Sequence, residues 1–259
     1  MLQPHRSRYW LNSEEKNPPE FNRQVREVCE TYLKAPERLK TEGIHTICVD
    51  EKTGMQALER AADTLPMKPG IPESREHEYT RHGTQCLTAN FEVATGEIIA
   101  PTIEATRTEP EFAAHIEQTI ATDPEAGWIF VADNLTTHVS ETLVILIAGM
   151  LCIPVETLGK KEKYGVLKSV ESRREFLTDL DHRIRFVYVP KHTSWLNQVE
   201  IWFSGCNLTL ASKHADFRLR LPIFGRELIF SAVGLVNGDA VRDDSSRQNT
   251  RFTEARTPP

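Results

Sequence analysis

Three carboxylates carry the chemistry that this sequence can be expected to perform. Asp50 follows the β-branched run at residues 45–49, Asp133 follows the continuous apolar run G-W-I-F-V-A at 127–132, and Glu200 lies within P-K-H-T-S-W-L-N-Q-V-E-I-W-F-S at 190–204. Carboxylates offer hard oxygen ligands, which suit Mg²⁺ or Mn²⁺ and not zinc. Two such ions, roughly 4 Å apart, activate an attacking hydroxyl and stabilise the leaving oxygen of a phosphodiester displacement. Taken singly, each acid has an ordinary reading. Asp is favoured in turns and at helix caps, and a Glu on a helix is usually solvated. The combination of strand-end Asp, strand-end Asp and helical Glu is what points to metal-dependent phosphodiester chemistry.

The elements that must position these acids follow from hydrophobic periodicity. Pro190 ends a strand at 184–189, and Ser194 is placed to cap a helix. On that helix Leu196, Val199, Trp202 and Phe203 form an apolar face, while Asn197 and Glu200 share another. Upstream, an apolar stripe at Phe21, Val25, Val28 and Tyr32 predicts a helix over 21–34, after a Pro-containing spacer that sets residues 1–11 apart. A strand over 45–49 should stop at Asp50. Thr53-Gly54 and the Pro-rich stretch 66–81, with Lys68, Arg75 and Arg81, read as loop. Strands at 84–92 and 97–102 form a hairpin around Ala94-Thr95-Gly96. Thr108 caps a helix over 109–122, a buried strand covers 127–132 and a helix spans 137–150. Residues 149–182 read as an insertion before the last strand, with a basic segment at 160–164 and a short helix within 167–177.

This order describes an α/β layer fold in which parallel strands carry their functional groups at the strand ends. Pairing of the first strand with 127–132 sets Asp50 beside Asp133, and the last helix, packed on the same sheet, brings Glu200 to them.

Composition agrees with a globular domain: 259 residues, 39% of them hydrophobic, are enough for a sizeable core. The start M-L-Q-P-H-R-S-R-Y-W is too polar for a secretory signal and no long apolar run follows, so the expectation is a cytoplasmic protein without a membrane span. Cys29, Cys48, Cys86, Cys152 and Cys206 form no C-x-x-C pair and read as reduced thiols, several of them buried. The net charge of −6 conceals a division. Residues 88–133 hold nine acids and one Arg, whereas 158–185 hold eight Lys or Arg against five acids. Metal ions over the first segment and a phosphate backbone over the second would account for it, as would two solvated faces.

The blocks V-D-E-K-T-G-M-Q-A-L-E-R at 49–60, A-D-N-L-T-T-H at 132–138 and P-K-H-T-S-W-L-N-Q-V-E-I-W-F-S at 190–204 resemble the three signatures of bacterial insertion-sequence transposases related to mariner elements. These are members of the DDE transposase and retroviral integrase superfamily, and the match covers about residues 2–204. The resemblance implies a ribonuclease H-like catalytic domain, a mixed five-stranded sheet flanked by helices with the insertion before the last strand. It also implies a metal-binding catalytic triad of Asp50, Asp133 and Glu200 with two Mg²⁺ or Mn²⁺, Asp50 bridging them. Its activity would be cut-and-paste movement, in which water cuts a strand at the transposon end and the freed 3′ hydroxyl attacks target DNA. The expected partners are terminal inverted repeats, target DNA and a second copy of the chain, in a bacterial cytoplasm and on the nucleoid when DNA-bound.

Neighbouring residues are candidates for support. His138 approaches the phosphate, steadies the site, or caps and packs. Asn134 shapes the strand-to-helix turn, and Asn197 either hydrogen-bonds near the metals or faces solvent. Lys52 meets DNA or pairs with Glu51; Lys160, Lys161, Lys163, Lys191 and His192 are candidate phosphate contacts. Trp195 and Trp202 read as core.

The chain also departs from this family pattern. Only residues 2–11 resemble the end of an N-terminal helix-turn-helix region, which gives 1–18 as a remnant and linker and 19–204 as the catalytic domain. From Asp133 to Glu200 the gap is 67 positions, longer than the mariner-like pattern. After Ser204 the basic, amphipathic continuation is missing, so 205–259 reads as an atypical tail, translated out of its original frame from near Gly205 and disordered over 237–259. Two other functions fit the same residues: a ribonuclease H-type or repair nuclease that hydrolyses without joining ends, and a DNA-binding remnant without activity.

Overall fold

The computed structural model describes residues 17–205, apart from 64 and 75–76, and strand residues 209–213, 216–223 and 226–231. Helix α1 (Pro18–Glu42) starts at Asn17, whose side chain accepts from the Glu20 N–H. It ends at Gly43, whose φ of 64° provides the left-handed turn that L side chains resist. The helix is longer than the periodicity predicts, since it continues past Lys34 through Pro36. Then come β1 (Ile44–Arg60), β2 (Tyr79–Glu92), β3 (Ile98–Glu104), α2 (Glu109–Ile120), β4 (Gly127–Ala132), α3 (Glu141–Met150), α4 (Val170–Leu177), β5 (Ile184–Tyr188) and α5 (Gln198–Gly205). Three further strands, β6 (Thr209–Lys213), β7 (Asp216–Ile223) and β8 (Arg226–Ser231), follow. Residues 237–259, expected to be disordered, and the helix-turn-helix remnant up to residue 16 lie outside the described residues.

The heart of the molecule is a mixed sheet in the order β3-β2-β1-β4-β5, antiparallel among the first three strands and parallel from β1 to β5. This is the five-stranded arrangement flanked by helices that the resemblance implies. β6 pairs with β1 at Ala57 and Leu58, so the described sheet grows to eight strands beyond that core.

Strand alternation assigns each face of the sheet. Ile47 and Val49 of β1, Phe130 and Ala132 of β4, and Phe186 and Tyr188 of β5 enter one core with Phe112 and Ile116 of α2, Leu143 and Ile147 of α3, and Leu177 of α4. Trp128, Phe130, Phe186 and Tyr188 stack along it at centroid spacings of 5.8, 5.2 and 6.0 Å. Truncating such a ring costs about 3–5 kcal/mol. On the opposite face, Cys48, Ile129, Val131, Val187 and Val189 meet Val28 of α1 and Val199 and Phe203 of α5.

Two boundaries differ from the sequence reading in ways that matter for the site. β1 does not stop at Asp50. It continues to Arg60 because β2, also longer than predicted, pairs with it along that whole length, and Gly54, at φ 71°, absorbs the register shift between Lys52 and Met55. The helix after β4 is delayed. A single 3₁₀ turn occupies Thr137–Val139, and α3 begins only after Ser140, whose hydroxyl accepts from the Leu143 N–H. Among the described residues no helix is long and apolar enough to cross a membrane.

Candidate active site

Parallel pairing of β1 with β4 runs from Ile44↔Gly127 to Cys48↔Val131. Two residues further on, the same register sets Asp50 opposite Asp133, just beyond the end of β4. Alternation gives Asp50 the face of Cys48 and Asp133 that of Val131, which is the face covered by α5. Glu200, in the first turn of α5, is half-buried there. Asp50 and Asp133 are thus level on one face of the sheet, and Glu200 is near enough for its charge to act on Asp50.

Their mutual repulsion is visible at Asp50. Only 7% exposed, it has one compensating bond among the described residues, from the Glu51 N–H to Oδ1 at 2.8 Å. Burial, with the charges of Asp133, Glu51 and Glu200, outweighs that bond and pushes the carboxyl up to about 7. Asp133 behaves differently. Burial works against its charge too, but the contact with His138 and the Leu135 N–H, 3.0 Å from Oδ1, outweigh burial and hold the carboxyl below its ordinary range.

His138 is fully buried between two acids. Its Nδ1 lies 2.7 Å from Asp133 Oδ1, an ion-pair contact without the alignment of a full hydrogen bond, and its Nε2 lies 3.0 Å from Glu51 Oε1. Burial alone would lower the imidazole; the two carboxylates win and raise it to about 9. His138 is thus held between Asp133 and Glu51. Its ring also packs on Phe112, 4.1 Å between centroids, and Tyr188 donates to its carbonyl at 2.7 Å.

Glu51 is the residue that sequence reasoning missed. Alternation sends it to the α2 and α3 side, behind Ile47 and Val49, where an unpaired carboxylate would be costly and where His138 sits. The signal was present in I-C-V-D-E, but only for a strand that continues past Asp50. Lys52 does not pair with Glu51. Its ammonium lies 5.9 Å from the centre of the Phe203 ring.

Asn197 does not face solvent. Fully buried, it donates from Nδ2 to the Val49 carbonyl at 2.9 Å, which fixes the residue before Asp50. This bond holds Asn197 in an extended conformation, so Ser194–Leu196 forms a separate 3₁₀ turn and α5 starts at Gln198, not at Ser194. Tyr32 of α1 donates to the Leu196 carbonyl at 2.8 Å and braces the same segment. Trp202 is partly buried against the core, whereas Trp195 is 64% exposed and so does not belong to it.

The insertion also takes part in holding the site. Asn134 bridges it to the sheet, donating to the Val189 carbonyl and accepting from Arg174 of α4 at 2.6 Å. Arg173 donates to the Val139 carbonyl at 2.8 Å. Lys160, Lys161 and Lys163 are exposed on the loop before α4, with Lys161 3.8 Å from Glu141, and Lys191 and His192 are exposed after β5.

A donor set made only of carboxylate oxygens fits a hard divalent cation, and the raised Asp50 is the group that such a cation would relieve. Among the described residues, however, no group of three or more His, Cys, Asp or Glu side chains is gathered closely enough to form a finished metal cage.

Fold and site together define a mixed-sheet domain with two acids level with one another at the ends of adjacent parallel strands. Residues 45–219, more than half of the chain, match the profile of the DDE superfamily endonucleases, and the chain belongs to that family. Among solved structures it is similar to the Mos1 strand transfer complex, at 13% identity and TM-score 0.32, covering 56% of this chain and 45% of that one. It is also similar to the Mos1 mariner paired end complex with Mn, at 14% identity and TM-score 0.31, covering 76% and 58%. A third is the Mos1 transposase paired-end complex with the left transposon end, at 16% identity and TM-score 0.28, covering 77% and 60%. The chain spans about half the length of these structures. No curated protein matches it.

Proposed function

We propose that this chain is the catalytic domain of a cut-and-paste transposase, which cleaves DNA at transposon ends and transfers the freed ends to target DNA. The observation that carries the proposal is the register of β1 on β4, which sets Asp50 opposite Asp133 beyond the end of β4 on the face that Glu200 reaches from α5. On this reading Asp50, Asp133 and Glu200 are the catalytic acids and hold two Mg²⁺ or Mn²⁺. When bound, the ions supply activation of the attacking oxygen and neutralisation of the leaving one.

The protein's own residues perform the positioning. Burial keeps Asp50 under repulsion until cations arrive. His138 and the Leu135 N–H orient Asp133, and Glu51 holds the far side of the imidazole. Asn197 and Tyr32 anchor the segment that delivers Glu200, and Asn134 ties the Asp133 turn to β5 and α4. The exposed Lys160, Lys161, Lys163, Lys191 and His192 would meet phosphates. Terminal inverted repeats and target DNA are the substrates, and a homodimer, acting in the cytoplasm, would pair two ends.

The test uses labelled duplexes with pre-cut ends together with a second, unlabelled DNA and Mg²⁺ or Mn²⁺. Joined products support transposition. Hydrolysis without joining would replace it with a nuclease, and metal-independent or absent chemistry would overturn the catalytic reading.

A further inference from the structure

Away from the acid cluster, α1 crosses the edge strand β5 near the other end of its run. Glu27, Lys34 and Arg38 share one face of α1, and Arg185, second residue of β5, points to the same side by alternation from Val187. Between them lies a groove of about 760 Å³, lined also by Arg26 and Leu180.

The charges in this groove are poorly answered from within the chain. Nη1 of Arg38 is buried without a hydrogen-bond partner. No side-chain hydrogen bond or ion pair from either Arg38 or Arg185 occurs among the described residues. Burial and the facing Arg38 lower Arg185 from its ordinary value, with Glu27 acting in the opposite sense. Glu27 lies 3.6 Å from Arg23, and Glu30 lies 3.9 Å from Lys34, so both acids already have cations beside them. Two guanidinium groups that face each other while partly desolvated are unfavourable unless an anion sits between them. Their planar forks match tetrahedral oxyanions in a way that ammonium groups do not.

We infer that the α1–β5 groove is a phosphate-binding site in which Arg38 and Arg185 clasp one phosphoryl group, with Arg26 and Lys34 at its rim. The phosphate is assigned to a DNA backbone, and this assignment rests on the proposed function. The site lies apart from the acid cluster, so it holds a duplex without taking part in cleavage.

The test measures thermal unfolding of the full chain in inorganic phosphate against chloride at equal ionic strength. It is paired with the salt dependence of binding to a DNA duplex. Phosphate is expected to raise the parent's midpoint in a saturable way, and to do so far less in Arg38→Gln/Arg185→Gln. The same variant should lower the magnitude of the slope of log affinity against log salt by about 0.9, the value for one phosphate. Arg38→Gln alone removes one of two repelling charges and serves if the double variant does not fold; Arg38→Lys/Arg185→Lys keeps the charges and should keep most of the slope. Equal responses of parent and variant to phosphate would overturn the site. A phosphate response lost in the variant with an unchanged DNA slope would overturn the backbone assignment. Absent nicking alongside an intact phosphate response would count against the catalytic reading only.

Discussion

The two faces of β1 hold acids under opposite conditions. On the α5 face, Asp50 is crowded by Asp133, Glu51 and Glu200 and has one backbone N–H in compensation, so its charge is disfavoured. On the α2 face, the Glu51 side chain is 3% exposed, and its Oε1 lies 3.0 Å from the His138 ring, whose pKa the two neighbouring carboxylates raise to about 9, while Oε2 is buried without a hydrogen-bond partner. Adjacent residues of one strand thus differ in what completes them. Glu51 has one oxygen answered by a side chain of the fold, whereas Asp50 has only a backbone N–H among the described residues, and on the proposed function a cation would complete it. Asp133 stands between the two, tied to His138 on one side and facing Asp50 on the other.

Breaking the Glu51–His138 contact should have the largest effect. His138→Ala leaves Glu51 buried without its cation and is expected to destabilise the metal-free protein by about 3–5 kcal/mol in urea unfolding. Glu51→Leu/His138→Leu should recover much of that loss, because the pair is removed together. A His138→Ala protein as stable as its parent would end the distinction between the faces.

The unsatisfied side predicts a gain. The folded pKa of Asp50 lies above its unfolded value near 3.9, so its ionisation opposes folding. Stability contributed by the protonated form is full below about pH 4 and is lost as pH rises through about 7. Asp50→Asn should therefore be more stable than the parent at pH 8 in EDTA, on the order of a few kcal/mol, with the difference vanishing near pH 4. Smaller losses are expected where positioning bonds are cut. Asn197→Ala should cost about 1–3 kcal/mol, since the buried Val49 carbonyl loses its donor. Tyr188→Phe, which removes one bond to the His138 carbonyl, should cost about 1 kcal/mol by the same measurement.

Much of this comparison could be read from residues alone, and its limits are physical. Asp50 and Asp133 each follow an apolar run, and the parallel register needed only Cys48↔Val131 to bring them level. The length of β1 was hidden because Thr53-Gly54 reads locally as a turn, while pairing with β2 overrides that preference. With β1 cut short, Glu51 had no face, and its bond to His138, 87 residues away, had no basis. The same holds for α4. Arg173 and Arg174 look like ordinary solvated residues of a basic insertion, and only the folded chain shows them gripping the Val139 carbonyl and Asn134. The burial of Asn197 was not legible because its partner is 148 residues away, on β1.

One substitution joins stability to chemistry. Metal-dependent nicking of a labelled duplex should be measured in Mg²⁺ and Mn²⁺ for the parent and for Asp50→Asn, alongside urea unfolding at pH 8 in EDTA. A variant that is more stable than the parent, but nicks at least about 100-fold more slowly, is the predicted result. A variant that nicks like the parent, or a parent that nicks with neither metal, would contradict the assignment of Asp50 as the charge that the fold leaves for a cation.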